Sequence, residues 1–172
     1  MEATEVIAQI LDMNRDMVGK ALDGLTDEEL ASRPDDQCNS IGWLVWHLAR
    51  AEDGLISGAQ KSQELWVEHG WNQKFGLRPE DCGFGDTLEQ VAGFKMPPLG
   101  DLKAYWAAVE DKTRDFLKSL KPEDLDQTLP SITGEGTMSL GMYLDFVVHE
   151  ALVHGGQIAY LRGMHRGIGW YY

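Results

Sequence analysis

The chain has 172 residues, of which 43% are hydrophobic and 25% are charged, and this length and composition predict one domain over residues 1–172. A formal net charge of −13 argues against nucleic acid and against an anionic membrane surface as partners, because both repel an acidic chain that lacks a basic patch. No apolar run approaches the ~18 residues of a membrane span, and the first residues lack the basic start and apolar core of a signal peptide, so we expect a cytoplasmic protein.

The first predicted element is a helix over residues 4–24. Its apolar residues recur at helical spacing, and Gly24 is suited to end it. A capping box that starts at Thr26 predicts a short helical turn, which ends before Pro34 because proline disfavours helix in the preceding residue. A polar loop over residues 35–39 follows.

A second helix is predicted over about residues 41–57, with Ser40 as its N-cap. Its apolar stripe is broad, which indicates that most of this helix is buried. Three charged residues are expected to mark its solvent-facing side: Arg50, Glu52 and Asp53.

Residues 58–99 form the least regular region. Short helices are predicted at 63–69 and at 87–94, with loops around them. A connection this long is unlikely to be a simple spacer when it carries several large aromatic residues, so we expect it to cover one end of the helices and line a pocket. The aromatic residues are Trp66, Trp71, Phe75 and Phe84.

The second half of the chain contains two more long helices. The spacing predicts a third helix over about 100–120, a loop over 128–138, and a fourth helix over about 139–162 that Gly163 ends. The aromatic tail, residues 167–172, is expected to pack on the bundle or on a partner chain. Four amphipathic helices without a convincing alternating strand predict an all-α four-helix bundle with a long irregular connection between helices 2 and 3.

Ionisable side chains lie within the apolar pattern of the fourth predicted helix. Glu150 and His154 are four residues apart, so they share one helix face, and Gln157 continues that face. A carboxylate and an imidazole on an apolar face cost free energy unless a partner satisfies them, and a divalent metal with at least one further ligand would satisfy both. The best candidate for that ligand is His47, within the strongly apolar stretch 41–49.

These residues also have structural interpretations. A lone histidine such as His47 is more often a satisfied core residue than a ligand. Glu150 and His154 could form a surface pair worth a few tenths of a kcal/mol, although their apolar neighbours fit that interpretation poorly. A metal held by three such groups keeps open positions, as catalytic zinc does. Gln157 would then support a ligand or a bound water molecule, or else be a polar residue near the helix end.

The remaining histidines and both cysteines are predicted to lie outside this site. His149 is about 100° around the helix from Glu150, so it is expected to face a neighbouring helix or a subunit interface. The loop or tail positions of His69 and His165 predict exposure. Neither cysteine has a CxxC partner, which favours free thiols over a disulfide framework or a zinc–thiolate site.

Several other classes of site lack their motifs in this sequence. A di-iron bundle needs two Glu-x-x-His repeats and two further glutamates, whereas this chain has a single Glu-x-x-x-His. The G-x-S-x-G motif of a hydrolase nucleophile and the phosphate-binding P-loop motif are both absent.

Three stretches carry a family resemblance, and they also have the expected order and spacing. They are residues 25–34, residues 40–53 and residues 154–163. They resemble the DinB-like (damage-inducible) superfamily of metal-binding four-helix bundles. Many relatives have His-x-x-x-His in the fourth helix and a third histidine in the second. His47 and His154 match two of these positions, whereas Glu150 replaces the other histidine, similar to the mycothiol-dependent maleylpyruvate isomerase branch with its glutamate zinc ligand.

The resemblance implies one divalent metal ion bound by His47, Glu150 and His154, with zinc favoured over nickel or iron because glutamate is a harder ligand than imidazole. It also implies a low-molecular-weight thiol, a small-molecule substrate that enters past residues 58–99, and a homodimer. The implied function is a metal-dependent enzyme that activates a thiol or water, of S-transferase, isomerase or hydrolase type. The alternative is a non-catalytic bundle with a structural metal that acts as a dimeric interaction or stress-response module.

Overall fold

Four long helices form the bundle in the computed structural model, which describes residues 2–132 and 134–171. The helices, in chain order, are α1 (Ala3–Leu22), α2 (Asp27–Ala31), α3 (Ile41–Gln60), α4 (Leu65–Glu68), α5 (Trp71–Phe75), α6 (Leu88–Gly93), α7 (Leu99–Ser119) and α8 (Leu140–Arg166). A 3₁₀ turn at Pro122–Asp126 and two strands, β1 (Thr128–Pro130) and β2 (Thr137–Ser139), lie between α7 and α8. The prediction of an all-α bundle is confirmed.

Helix α3 packs against both α7 and α8, and α1 packs against the same two helices from the other side. Serine N-caps explain where two of these helices begin, and the one at Ser40 was predicted. The side-chain oxygen of Ser40 accepts a hydrogen bond from Trp43 N at 3.2 Å, and that of Ser139 accepts one from Met142 N at 3.2 Å. Each cap satisfies a backbone N–H that has no partner within the helix.

Helix α8 extends one turn beyond its predicted end at Gly163. The additional turn is stabilised by Arg166, whose guanidinium donates to the carbonyl of Gly24 at 3.1 Å and to Glu29 at 2.8 Å. The helix ends at Gly167, which adopts φ of +76°. Glycine tolerates this left-handed backbone region, so it is a suitable residue to terminate the helix.

The predicted loop at 128–138 is wrong in part, because its ends pair as a short antiparallel hairpin. Leu129 lies opposite Met138, and both are buried against the bundle, at 5% and 9% exposure. Strands of three residues are too short for an alternating pattern to stand out in a sequence. The burial of this one apolar pair accounts for the position of the hairpin.

The connection between α3 and α7 carries three short helices, α4, α5 and α6, where two were predicted. Trp66 at its centre is fully buried and packs edge-on to Trp46 of α3, with ring centroids 6.3 Å apart. The connection therefore covers one side of α3 and packs into the core. This agrees with the expectation for Trp66, Trp71 and Phe75, whereas the expectation is wrong for Phe84, which is 88% exposed.

The prediction that three charged residues mark a solvent-facing side of α3 is wrong. Arg50, Glu52 and Asp53 are only 3%, 4% and 0% exposed. Each is paired: Arg50 with Glu64 at 2.8 Å, Glu52 with Arg15 at 2.5 Å, and Asp53 with backbone N–H groups of α4. Charged residues enter an interior only when they are paired in this way.

The tail lies against the bundle through Trp170, which is half-buried beside the core and under the guanidinium of Arg162 at 6.0 Å. Trp170 therefore packs on the bundle as predicted for the tail, whereas Ile168 does not, because it is 99% exposed. Tyr172, which belongs to the same prediction, lies outside the described residues. Over residues 2–132 and 134–171, none of the helices is both long enough and apolar enough to cross a membrane.

Candidate metal centre

The structure brings His47, Glu150 and His154 together. Their ligand atoms all lie within 4.8 Å of one another, and within the part of the chain that the structure describes they form the one such group of three. His47 Nε2 is 3.6 Å from Glu150 Oε2, and His154 Nε2 is 3.1 Å from the same oxygen. The two imidazole rings meet edge to face, with centroids 4.8 Å apart and planes at 81°.

These distances fit a single divalent ion. Two ligands that each lie about 2.0–2.1 Å from a tetrahedral zinc ion are roughly 3.3 Å apart. The two measured nitrogen–oxygen distances, 3.1 and 3.6 Å, lie on either side of that value. Two imidazole nitrogens and one carboxylate oxygen are also a known donor set of catalytic zinc. The residues that are present therefore match the ion in both spacing and chemistry.

His47 is held in a fixed orientation by its surroundings. Its ring stacks on Trp43, with centroids 4.8 Å apart and planes at 20°. Its Nδ1 lies 2.5 Å from the carbonyl oxygen of Cys82, and because a carbonyl can only accept, Nδ1 must donate. That bond fixes the tautomer and directs Nε2 toward Glu150.

The backbone of the connection passes close over the same ring. A Cβ added to Gly83 would lie 2.7 Å from His47 Nδ1 and 2.8 Å from the ring of Trp43. The residue also has φ of +83°, which glycine adopts without strain. Only glycine allows the Cys82 carbonyl to approach His47 in this way.

His154 is oriented by the matching bond on α8. Its Nδ1 lies 2.8 Å from Gln157 Oε1, so this nitrogen also donates, and Nε2 is directed toward Glu150. The hydrogen bond from His154, followed by the one from His47, lowers the pKa of Glu150. Burial alone would lower the pKa of His154, but the hydrogen bonds with Glu150 and Gln157 outweigh it and raise that pKa. The carboxylate is therefore anionic across the neutral range.

Solvent reaches the centre from the α8 side. The side chains of His47 and His154 are 8% and 15% exposed, whereas that of Glu150 is 29% exposed. A centre with three protein ligands and an accessible side has room for a water molecule or a substrate atom.

A close contact between helices supports the position of His154. Asn14 of α1 is only 5% exposed, and its Oδ1 would overlap a Cβ on Gly155. Gly156, in contrast, has open space around that position. The absence of a side chain at Gly155 therefore lets α1 approach α8 beside the candidate ligand.

The other predicted positions fall outside the centre. His149 is exposed on α8, and His69 is exposed at the end of α4. The prediction for His165 is wrong, because this residue lies in the last turn of α8 and is half-buried. Cys38 and Cys82 are free thiols, as predicted.

Sequence reasoning missed the contribution of the Cys82–Gly83 segment. Its contact with His47 is made by a backbone carbonyl, and any residue type can supply that group. The single available signal was the pair of glycines at 83 and 85, both with positive φ, next to an aromatic residue. Glycines at that spacing are too common in loops to indicate a contact with a particular histidine.

Comparisons with known proteins identify the family and the fold. A family model described as the DinB superfamily matches residues 10–158. Among solved structures, the crystal structure of a conserved protein from Enterococcus faecalis is similar, with 27% sequence identity and a TM-score of 0.87. That similarity covers 98% of this chain and 99% of the other. A search of curated proteins found no match.

Proposed function

Because the chain belongs to the DinB superfamily, we propose that it binds one divalent metal ion, preferably zinc, through His47, Glu150 and His154. The proposed activity is the activation of a low-molecular-weight thiol or a water molecule for reaction with a small-molecule substrate. The reaction type is S-transfer, isomerisation or hydrolysis. The preference for zinc follows from two imidazoles and one carboxylate, a borderline donor set with one hard ligand.

One observation carries this proposal. Both imidazoles donate from Nδ1 to an oxygen acceptor, His47 to Cys82 and His154 to Gln157, so both Nε2 atoms face the same carboxylate oxygen. Metal-binding histidines in proteins have the same arrangement, with one nitrogen toward the metal and the other hydrogen-bonded to an oxygen. A simple ion pair needs only one imidazole, so the second one supports a site for a cation.

The roles of the chain's own groups follow from their positions. A bound divalent ion lowers the pKa of a thiol or water molecule in its open position and so supplies a nucleophile near neutral pH. Glu150 contributes the negative charge that favours a cation, and Gln157 fixes the ring of His154. The indole of Trp43 covers one face of His47 and excludes water from it.

A non-catalytic bundle with a structural metal is the competing interpretation. Structural zinc is usually enclosed by four protein ligands, whereas three groups converge here and Glu150 keeps 29% of its side chain exposed. Cobalt substitution distinguishes the two interpretations. Exchangeable water at a cobalt centre would favour the catalytic site, and closed coordination by protein groups would favour the structural one.

Metal analysis of purified protein tests the proposal. We expect about one equivalent of zinc after reconstitution and dialysis for the wild type and for the control His149→Ala, which removes an exposed imidazole from the same helix. We expect a large loss of metal for His154→Ala. Wild-type protein without near-stoichiometric metal, or His154→Ala that retains it, would refute the proposal.

A further inference from the structure

A cavity of about 720 Å³ lies between the loop that joins α2 to α3 and the second half of α8. Its volume is within the range of roughly 300–1,000 Å³ that is typical of small-molecule sites. Leu44 of α3 contributes to its wall, together with residues from the loop and from α8. The cavity is therefore built from the same two long helices that carry the candidate metal ligands.

The cavity adjoins the metal centre. Val153 and Gln157 line it, and they lie on either side of His154 along α8. Gln157 belongs to both places, because its Oε1 is 2.8 Å from His154 Nδ1. On α3, Leu44 precedes His47 by three residues, about one helical turn. None of the three candidate ligands is among the lining residues of the cavity, and Gln157 is the side chain through which it contacts His154.

The loop wall of the cavity is held in place by hydrogen bonds within the loop. Arg33 donates from Nε to the carbonyl of Cys38 at 2.6 Å and from its guanidinium to the carbonyl of Asp36. The backbone N–H of Gln37 donates to Asp35 Oδ1 at 2.8 Å. These bonds are made within the loop itself, and they hold its wall of the cavity in one conformation.

The chemistry of the lining identifies a class of ligand. Three amide side chains, those of Gln37, Asn39 and Gln157, supply hydrogen-bond donors and acceptors, and the rest of the wall is largely apolar. Every lining side chain is uncharged within the part of the chain that the structure describes, although 25% of the residues are charged. The side chains that line the cavity provide no cation to replace the hydration of a carboxylate or phosphate, and the net charge of −13 would repel such an anion.

We propose that this cavity binds the organic part of the thiol or substrate, and that it selects an uncharged, partly apolar molecule over an anionic one. This inference rests on the proposed function, and it adds to it the place and the charge of the ligand. The amides hydrogen-bond the polar groups of the molecule, while Leu44 and Val153 contact its apolar part. Gln157, which lines the cavity and is hydrogen-bonded to His154, then lies between the molecule and that candidate ligand.

Two probes that differ in one group test the selectivity. N-acetylcysteine carries a carboxylate, and its amide analogue is neutral but otherwise the same. Titration of each into zinc-loaded protein, followed by calorimetry, gives the two dissociation constants. We expect the amide to bind about tenfold more tightly than the acid, because the cavity provides no cation for the carboxylate. Equal binding, or tighter binding of the acid, would overturn the proposal.

Two glycines of α8 provide a matched pair of variants that tests where the ligand binds. A Cβ at Gly156 or at Gly163 meets nothing within 4 Å, so both positions have open space where a leucine side chain would begin, but Gly156 lines the cavity and Gly163 does not. Gly156→Leu should weaken binding of the amide about tenfold, whereas Gly163→Leu should leave it unchanged. Unchanged binding in Gly156→Leu would place the ligand elsewhere and refute the proposal.

A third variant tests the charge argument directly. Met164 lines the cavity and is 57% exposed, so Met164→Lys adds a cation there without removing a core contact. The preference is the logarithm of the dissociation constant of the acid divided by that of the amide. We expect Met164→Lys to reduce this logarithm by at least half. A preference that stays the same as in the wild type would contradict the assignment.

Zinc content, measured on the same samples, separates failure of this inference from failure of the proposed function. Protein that binds zinc stoichiometrically but neither probe overturns the cavity assignment and leaves the metal centre intact. The alternative occupant of this cavity face is a second copy of the chain, which light scattering would detect as a dimer. A dimeric wild type that Gly156→Leu converts to monomers would make this face an interface between copies and refute the ligand proposal.

Discussion

Two of the buried polar groups on helix α3 differ in how completely the protein satisfies them. Asp53 has a full set of hydrogen-bond donors from its own chain, whereas His47 belongs to a cluster in which two imidazoles share one carboxylate oxygen. The comparison shows that burial of a charged residue does not by itself indicate a functional site. A saturated group stabilises the fold, and an unsaturated cluster with an exposed side leaves a position for a ligand.

The Asp53 carboxylate is fully buried. It accepts hydrogen bonds from the backbone of Leu65 at 3.1 Å and of Trp66 at 2.8 Å, and from the hydroxyls of Ser57 and Tyr105 at 3.1 and 2.9 Å. By accepting from two donors of α4, the carboxylate attaches the irregular connection to the bundle. It has no lone pair left for an ion.

The largest predicted effect comes from removing the Asp53 carboxylate and with it the acceptor of these hydrogen bonds. Asp53→Ala leaves buried donors on α4 and on Tyr105 without an acceptor, and removing one partner of a buried charged network typically costs about 3–5 kcal/mol. We expect the free energy of unfolding in urea to fall by that amount. The exposed control Asp145→Ala should change it by less than about 0.5 kcal/mol. A loss below about 1 kcal/mol in Asp53→Ala would mean that the network is not a stabilising one.

A smaller effect is expected at the metal cluster, and it should depend on metal. Zinc at 100 times its dissociation constant should stabilise the wild type by about 2.7 kcal/mol. Glu150→Gln keeps the shape of the side chain but removes the charge, so we expect most of this stabilisation to disappear while the metal-free stability changes little. Thermal unfolding with and without zinc measures both quantities, and Glu89→Gln, an exposed glutamate of α6, is the control. Equal stabilisation of Glu150→Gln by zinc would contradict the assignment.

A still smaller effect is expected where the connection contacts His47. Gly83→Ala introduces a methyl group 2.7 Å from His47 Nδ1 and displaces the Cys82 carbonyl, and loss of such a supporting bond typically weakens metal binding about 10–100-fold. Gly85→Ala is the matched control, because it has a similar φ of +77° but open space at its Cβ. Competition with a chromophoric chelator measures both affinities. If both variants weaken binding equally, backbone strain and not contact with His47 is the cause.

The mildest perturbation is a change of pH. The pKa of His154 is raised, and the metal needs the imidazole without its proton, so metal affinity is complete above that pKa and is lost as the pH falls through it. We expect the loss to approach tenfold per pH unit below the pKa. Because the bond to Gln157 contributes to the raised pKa, Gln157→Leu should move the onset of this loss to lower pH. An onset at the same pH in both proteins would exclude that contribution.

The sequence predicts those features that depend on local spacing. Ser40 and Ser139 cap the helices that were expected to begin there, because a cap is decided within four residues. Glu150 and His154 share a face because they are four residues apart in one helix. The prediction that His47 meets this pair rested on the apolar stretch around His47 and on the family resemblance, because residue spacing does not relate two different helices.

The features that the sequence did not predict depend on distant partners. Arg50, Glu52 and Asp53 look like the solvent side of a helix until the partners that bury them are known. Those partners lie in α1, in the irregular connection and in α7, and Tyr105 is 52 residues from Asp53 in the chain. Backbone contacts such as the Cys82 carbonyl on His47 leave no mark on residue type. Side-chain patterns therefore identify the elements, but not which of their polar groups are saturated.

The most direct test of the central claim is anomalous diffraction from crystals of the zinc-loaded protein. We expect one strong zinc peak about 2.0–2.2 Å from His47 Nε2, His154 Nε2 and a carboxylate oxygen of Glu150, with at least one remaining position occupied by solvent. A zinc peak at another position, or none near these three side chains in crystals that contain stoichiometric zinc, would contradict it.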